Sequence, residues 1–308
     1  MVNKKWNLNR MPDQSGKVIV ITGGNSGLGY ESAKAFAHKN AKVIIACRSM
    51  EKGQIAKDKI LNFATKASIE LMTIDLMDLS SIEGFAKTFK EKYNRLDILM
   101  NNAGIMMNPY AISNDGFESQ MGTNHLGHFA LTGLLLNLII STPNSRVVTI
   151  SSLAHKQWKI NFDNFLFENG KGYNPMKAYS RSKLANLLFT YQLQRLFEKN
   201  SIQSIAVAAH PGASYTNLGR FLEGKLLARV LKPLIVKILP SSASGALPQI
   251  RAAVDPNVKG GDYYGPSGFM ELAGSPVLVT SSKTSHSIDD AQRLWEISEK
   301  LTGVNFRF

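Results

Sequence analysis

After a polar lead-in, residues 17–22 (KVIVIT) form a short apolar run rich in β-branched side chains and followed by glycines. Such a run predicts a buried strand. Residues 26–39 then read as a helix and residues 42–46 (KVIIA) as a second strand, and the alternation repeats. Helices are expected over 51–63 and 80–92, with strands over 69–74 and 96–100. A long helix is expected over 117–140, a strand over 146–151, a helix around 179–197 and a strand over 202–208. Strands that are apolar throughout and alternate with helices predict a parallel sheet covered on both faces. Beyond His210 the pattern loosens. Residues 218–239 mix apolar positions with Arg220, Lys225, Arg229, Lys232 and Lys237, and residues 260–268 (GGDYYGPSG) are turn-rich around one short strand. Ala291, Leu294, Trp295, Ile297 and Leu301 fall at the spacing of a closing amphipathic helix.

The expected fold class is α/β, a Rossmann-type doubly wound parallel sheet with helices on both faces. One domain spans residues 1–308, with 1–14 as an N-terminal extension and 213–247 as a substrate lid. Ligands of such sheets sit beyond the carboxyl ends of the strands. The chain carries a net charge of +13, but its lysines are scattered and no arginine-rich block interleaves with aromatics. Nucleic acid is therefore not the expected partner. Residues 218–239 have two readings: a lid with a core-packing helix, which is preferred, or a basic amphipathic helix making peripheral contact with an anionic membrane. The single cysteine, Cys47, rules out an intramolecular disulfide and suits a reducing compartment. Residues 1–14 lack the apolar region of a signal peptide, and no run reaches about 18 apolar residues, so a cytoplasmic location is expected.

Directly after the first strand comes Thr22-Gly-Gly-Asn-Ser-Gly-Leu-Gly29. A glycine-rich turn between strand and helix lets backbone approach a pyrophosphate, while the helix N-terminus supplies N–H groups and positive dipole. Gly23, Gly27 and Gly29 follow TGxxxGxG spacing, and Asn25, Ser26 and Leu28 complete the candidate loop. At the end of the second strand an NAD-selective site usually places a carboxylate for the ribose 2′-hydroxyl. This chain has Ala46-Cys47-Arg48-Ser49 there. Arg48 offers a planar fork suited to a 2′-phosphate, so NADP(H) is the favoured cofactor and NAD(H) the alternative.

Tyr179-Ser-Arg-Ser-Lys183 places a phenol and an ammonium four residues apart on one helical face. A phenol ionises near a pKa of about 10, and a nearby ammonium favours its phenolate, which makes Tyr179 a candidate general acid/base. Ser152 stands at the carboxyl edge of the strand over 146–151, where a hydroxyl can hold a substrate oxygen beside Tyr179. Asn101-Asn-Ala-Gly104 closes the fourth strand, and Asn124 lies in the helix that follows, where a buried amide can support a water-mediated proton path.

The ordered set TGGNSGLG, Asp75-Leu76, NNAG, Asn124, Ser152, YSRSK and His210-Pro-Gly212 resembles the short-chain dehydrogenase/reductase family over nearly the whole chain. The resemblance implies a tetrad in which Tyr179 exchanges the proton. Lys183 tunes it and binds the nicotinamide ribose, Ser152 orients the carbonyl, and Asn124 holds a relay water. It further implies that Asp75 and Leu76 flank the adenine, and that Asn102, Ala103 and Gly104 line the cofactor cleft. Pro211, Gly212 and Thr216 would meet the nicotinamide end. ACRS after the second strand, Asn124-His-Leu-Gly-His-Phe129, Ser151-Ser-Leu-Ala-His155 and Ser182-Lys-Leu-Ala-Asn186 are similar to the retinol-dehydrogenase-like branch. Parts of the pattern also resemble light-dependent protochlorophyllide reductases, a C=C-reducing alternative ranked lower. The expected activity is carbonyl/alcohol interconversion on a small, lipophilic molecule by a homo-oligomer. The alternative from another class is a non-catalytic NADP(H)-binding regulatory protein. His125, His128 and His155 lack companions at ligand spacing, so no metal is expected and structural roles are favoured. Cys47 reads as a small buried hydrophobe in preference to a redox sensor.

Overall fold

The computed structural model describes residues 5–212 and 241–308. Thr216, the 218–239 segment and most of the expected lid lie outside the described residues.

Eight strands form one sheet in the order β3-β2-β1-β4-β5-β6-β7-β8. They are β1 (Val18–Thr22), β2 (Lys42–Cys47), β3 (Ser68–Thr73), β4 (Ile98–Asn101), β5 (Arg146–Ile150), β6 (Ile205–Ala209), β7 (Tyr263–Pro266) and β8 (Pro276–Leu278). Neighbours from β3 through to β7 pair in parallel, and β8 returns antiparallel to β7. The helices are α1 (Gly27–His38), α2 (Met50–Leu61), α3 (Leu79–Lys92), α4 (Ser119–Met121), α5 (Gly127–Leu134), α6 (Leu136–Ser141), α7 (Pro175–Lys199), α8 (Ser242–Val254) and α9 (Ile288–Thr302).

The two-residue period of the strands divides the core. Ile19 and Ile21 of β1 pack with Phe36 of α1 and Ile250 of α8. Val18 and Val20 pack on the other face with Phe85 and Phe89 of α3, Phe129 of α5 and Phe197 of α7. Each such ring, buried from water, contributes about 1.5–3 kcal/mol. Strand order reverses between β1 and β4, which opens a crevice at their carboxyl ends, the place where doubly wound sheets bind ligands.

Three expectations need correction. The helix expected over 117–140 is broken into α4, a π-helical turn (Gly122–Leu126), α5 and α6. A π turn inserts one residue without disturbing apolar spacing enough to be read from sequence. Directly after the turn a Cβ at Gly127 would overlap the Leu76 carbonyl, so the chain passes close against the helix there. Of the extension, the described residues 5–14 pack on the core, since Trp6 and Met11 are buried there and the Gln14 amide donates to the Lys39 carbonyl. Residues 242–247, assigned by sequence to the lid, are the first half of α8, and Ala246 is buried in the core.

Candidate active site

The carboxyl ends of β1, β2 and β4 surround a cleft of about 400 Å³, within the range usual for cofactor sites. Gly23, Asn25, Ser26, Gly27, Leu28, Gly29, Arg48, Asp75, Leu76, Asn102, Ala103 and Gly104 all line it. The glycine turn is close-packed. A Cβ at Gly29 would overlap the Gly23 carbonyl and the Asn102 amide. Asn102 Nδ2 itself donates to the Thr22 carbonyl at 2.8 Å, which fastens the β4 loop to the end of β1. Ser26, the N-cap of α1, makes no side-chain capping bond. The Ser26 side chain therefore does not occupy the first-turn N–H groups of α1.

At the outer end, Arg48 has a side chain 74% exposed and sits 3.7 Å from Asp75 Oδ2. Lys52, one turn into α2, lines the same end, so two cations stand where a carboxylate would select against a 2′-phosphate. Thr22 and Ser49, from the two motifs, line the cleft as well, and so do Lys52, Ile74, Met77, Ile105 and Thr123, which were not singled out by sequence. The signal for Lys52 was its place one turn beyond Arg48 on a helix whose N-cap, Ser49, follows Arg48 directly. Cys47 is buried, its thiol donates to the Ser49 carbonyl at 3.3 Å, and burial raises its pKa, as expected of a packing residue.

Gly104 marks the inner end. A Cβ there would stand 3.0 Å from Asn124 Oδ1 and 3.4 Å from Lys183 Nζ. Helix α7 delivers the reacting groups. Asn174 caps it by accepting from the Lys177 amide, and Pro175 supplies a pre-set first turn. Tyr179, Ser182, Lys183 and Asn186 recur at three and four residues, so they share one face. All four are buried. Lys183 Nζ donates to the Ile150 carbonyl at 2.9 Å and lies 5.8 Å from the centre of the Tyr179 ring. Ser151 Oγ donates back to the Lys183 carbonyl at 2.8 Å, which locks the end of β5 to α7.

Asn124 stands in the π turn with every side-chain polar atom engaged. Its Oδ1 accepts from the Ile105 amide at 2.9 Å, and its Nδ2 donates to the Ile105 carbonyl at 3.0 Å and to Ser182 Oγ at 2.9 Å. Ser182 in turn donates to the Tyr179 carbonyl at 2.8 Å. The amide therefore ties the loop after β4 to the helix turn that carries Tyr179. Ser152 Oγ accepts from the Ala154 amide at 3.2 Å, leaving its own proton to donate. That hydroxyl acts on the Tyr179 phenol and favours its ionised form, but burial is the larger influence and the pKa is raised overall. The sequence expectation of a lowered phenol pKa is thus not met in this state. Burial acts on Lys183 too, bringing it down to about 8.

The three histidines each hold a definite contact. His125 pairs with Ser298 at 2.9 Å. Thr22 Oγ1 accepts from the Asn102 and Ala103 amides, each at 2.9 Å, and turns its proton to His128 Nε2 at 2.9 Å. His128 Nδ1 then donates to the Asn124 carbonyl at 3.1 Å. His128 thus joins the glycine turn, the β4 loop and Asn124. His155 contacts Ser152 and Ser282. Of the expected site residues, Asn124, Ser152, Tyr179, Lys183, Pro211 and Gly212 do not line the cleft itself. The Gly212 amide instead donates to His210 Nδ1 at 3.2 Å, and its φ of 71° is one that favours glycine.

The family model for short chain dehydrogenases matches residues 17–165. Mouse retinol dehydrogenase 14 is 37% identical over 302 residues, covering 94% of this chain and 86% of that protein. Human retinol dehydrogenase 11 is also 37% identical, over 289 residues, with the same coverage of 94% and 86%. The chain belongs to the short-chain dehydrogenase/reductase family. It falls in the retinol-dehydrogenase-like branch, and it is an oxidoreductase acting on CH–OH donors. Among solved structures, an uncharacterized protein from Mycobacterium Paratuberculosis superposes with a TM-score of 0.82 at 38% identity, covering 99% of this chain and 100% of that one. Among the described residues of this dehydrogenase, no helix is long and apolar enough to cross a membrane.

Proposed function

We propose that this oxidoreductase interconverts a lipophilic aldehyde or ketone and its alcohol with NADP(H), using Tyr179 to transfer the proton. The observation that carries the reading is adjacency. Tyr179, Ser152, Lys183 and Asn124 come from three separate elements yet gather behind Gly104, the glycine that lines the inner end of the cleft.

The cleft fits the dinucleotide. Uncapped amides at the start of α1 suit a pyrophosphate, and Arg48 with Lys52 suits a 2′-phosphate. The bound cofactor supplies or accepts the hydride, while the protein positions and protonates. Asp75, Leu76, Asn102, Ala103 and Gly104 line the cleft, and family resemblance assigns the first two to the adenine and the other three to the cofactor cleft. Thr216, Pro211 and Gly212 are assigned to the nicotinamide end from family resemblance.

In reduction, Tyr179 Oη gives its proton to the carbonyl oxygen as negative charge develops there. Ser152 Oγ donates to the same oxygen and fixes its distance from the phenol. The Lys183 ammonium favours the phenolate that remains, and Asn124 holds the loop and helix that frame the three. A phenol kept protonated by burial is in the competent form for donation. A lipophilic substrate follows from the relatives, which are named for retinol, an apolar alcohol. The single thiol, buried and free, suits the cytoplasm.

The test is oxidation of NADPH, and separately of NADH, against a panel of apolar aldehydes and ketones. Turnover with preference for NADPH is expected. Tight NADPH binding without turnover of any carbonyl would contradict the catalytic reading and favour a regulatory one.

A further inference from the structure

His155 is buried three residues beyond Ser152, and the fold surrounds it with groups of fixed hydrogen-bonding sense. Its Nδ1 lies 2.6 Å from the Ser152 carbonyl oxygen, and its Nε2 lies 3.0 Å from the Ser282 backbone amide. A carbonyl only accepts and an amide N–H only donates. One form of the ring satisfies both, the neutral tautomer with its proton on Nδ1. The Ser152 carbonyl also accepts from the His155 backbone amide at 3.1 Å, so one residue closes the turn twice.

That turn is held at two further points. Ser180, next to Tyr179, donates from Oγ to the Ala154 carbonyl at 2.6 Å, docking the turn on α7. The His155 ring meets Tyr263 of β7 edge-on, with centroids 5.9 Å apart. Ser180 therefore sets where the turn lies, and His155 sets how Ser152 is presented within it. His125 provides the contrast, since its partner Ser298 touches none of the reacting groups.

We infer that His155 is a positioning residue that holds the Ser152 hydroxyl in register with the Tyr179 phenol, bracing it against the Ser282 segment that follows β8. This rests on the roles proposed above for Ser152 and Tyr179. Misplacing a reacting group by about 1 Å costs on the order of a hundredfold in rate, so the brace is expected to act on kcat and not on cofactor binding.

The experiment compares His155→Asn, His155→Gln and His155→Phe in the full chain, with Tyr179→Phe alongside. Asn places an amide near the Nδ1 position and keeps the donor to Ser152. Gln reaches the Nε2 position and keeps only the acceptor for Ser282. Glutamine and phenylalanine are expected to lower kcat roughly tenfold to a hundredfold. The NADPH dissociation constant should stay within about twofold, and asparagine should recover most of kcat. Glutamine or phenylalanine variants with wild-type kcat would overturn the inference. So would variants whose kcat, NADPH affinity and melting temperature all fall together without rescue by asparagine, since that is a purely structural role. An inactive Tyr179→Phe beside a fully active His155→Phe removes the brace alone. An active Tyr179→Phe removes the reading of the site and the brace with it.

Discussion

Ile150 offers its carbonyl oxygen to Lys183, whose buried Nζ donates across 2.9 Å. The same oxygen accepts from Asn186 Nδ2 at 3.0 Å. The end of β5 is thereby tied to two successive turns of α7, and among the described residues the ammonium bonds to a neutral dipole with no carboxylate partner. Desolvation is accordingly unopposed, and the pKa falls to about 8.

A pH dependence follows. Below about 8 Lys183 is charged and favours the phenolate left when Tyr179 donates. As pH rises through that value the charge is lost, so kcat/KM for carbonyl reduction should fall. Lys183→Arg should shift the fall to higher pH, because a guanidinium stays protonated. Lys183→Met should lower kcat by about a hundredfold or more. Initial rates across the alkaline range check this, and an unchanged profile in Lys183→Arg would contradict it.

Arg48 should decide between the two cofactors. Its ion pair with Asp75 is long and solvent-exposed, so it holds the guanidinium weakly and leaves it free to turn to a phosphate. Arg48→Ala should raise the KM for NADPH roughly tenfold to a hundredfold and leave NADH nearly unchanged. Lys52→Ala should have a smaller effect in the same sense. Paired KM measurements with both cofactors are the check, and equal losses for the two would count against a 2′-phosphate site.

Stability should decline on mild acidification. Burial depresses His125 to about 3, and His128 and His210 to about 4. An unfolded histidine titrates near 6.5, so between about 6.5 and 4 the unfolded chain binds protons that the folded chain refuses. The stability is present above about 6.5 and is lost as pH falls toward about 4. Urea midpoints measured from about pH 7 to 5 should drop steadily. A flat series would mean that these rings accept protons in the folded state.

The central strands were legible because each is an uninterrupted apolar run flanked by turn residues, and the cleft because its glycines and Arg48 follow strands directly. Helix α8 was hidden by its serine-rich start and by Pro248 within it. The π turn around Asn124 leaves apolar spacing almost unchanged, and the close approach of Leu76 to Gly127 beside it joins residues far apart in the chain. The roles of His128 and His155 depend on partners such as Thr22 and Ser282, more than a hundred residues away. The sign of the Tyr179 shift likewise awaited the structure, because burial and the Ser152 hydroxyl oppose each other there.

The most direct test of the account replaces Tyr179 with phenylalanine, which removes the transferable proton and keeps the ring. NADPH-dependent carbonyl reduction should fall by at least about a hundredfold, while NADPH binding by fluorescence titration stays close to wild type. Reduction at the wild-type rate would contradict the assignment of Tyr179 as the proton donor.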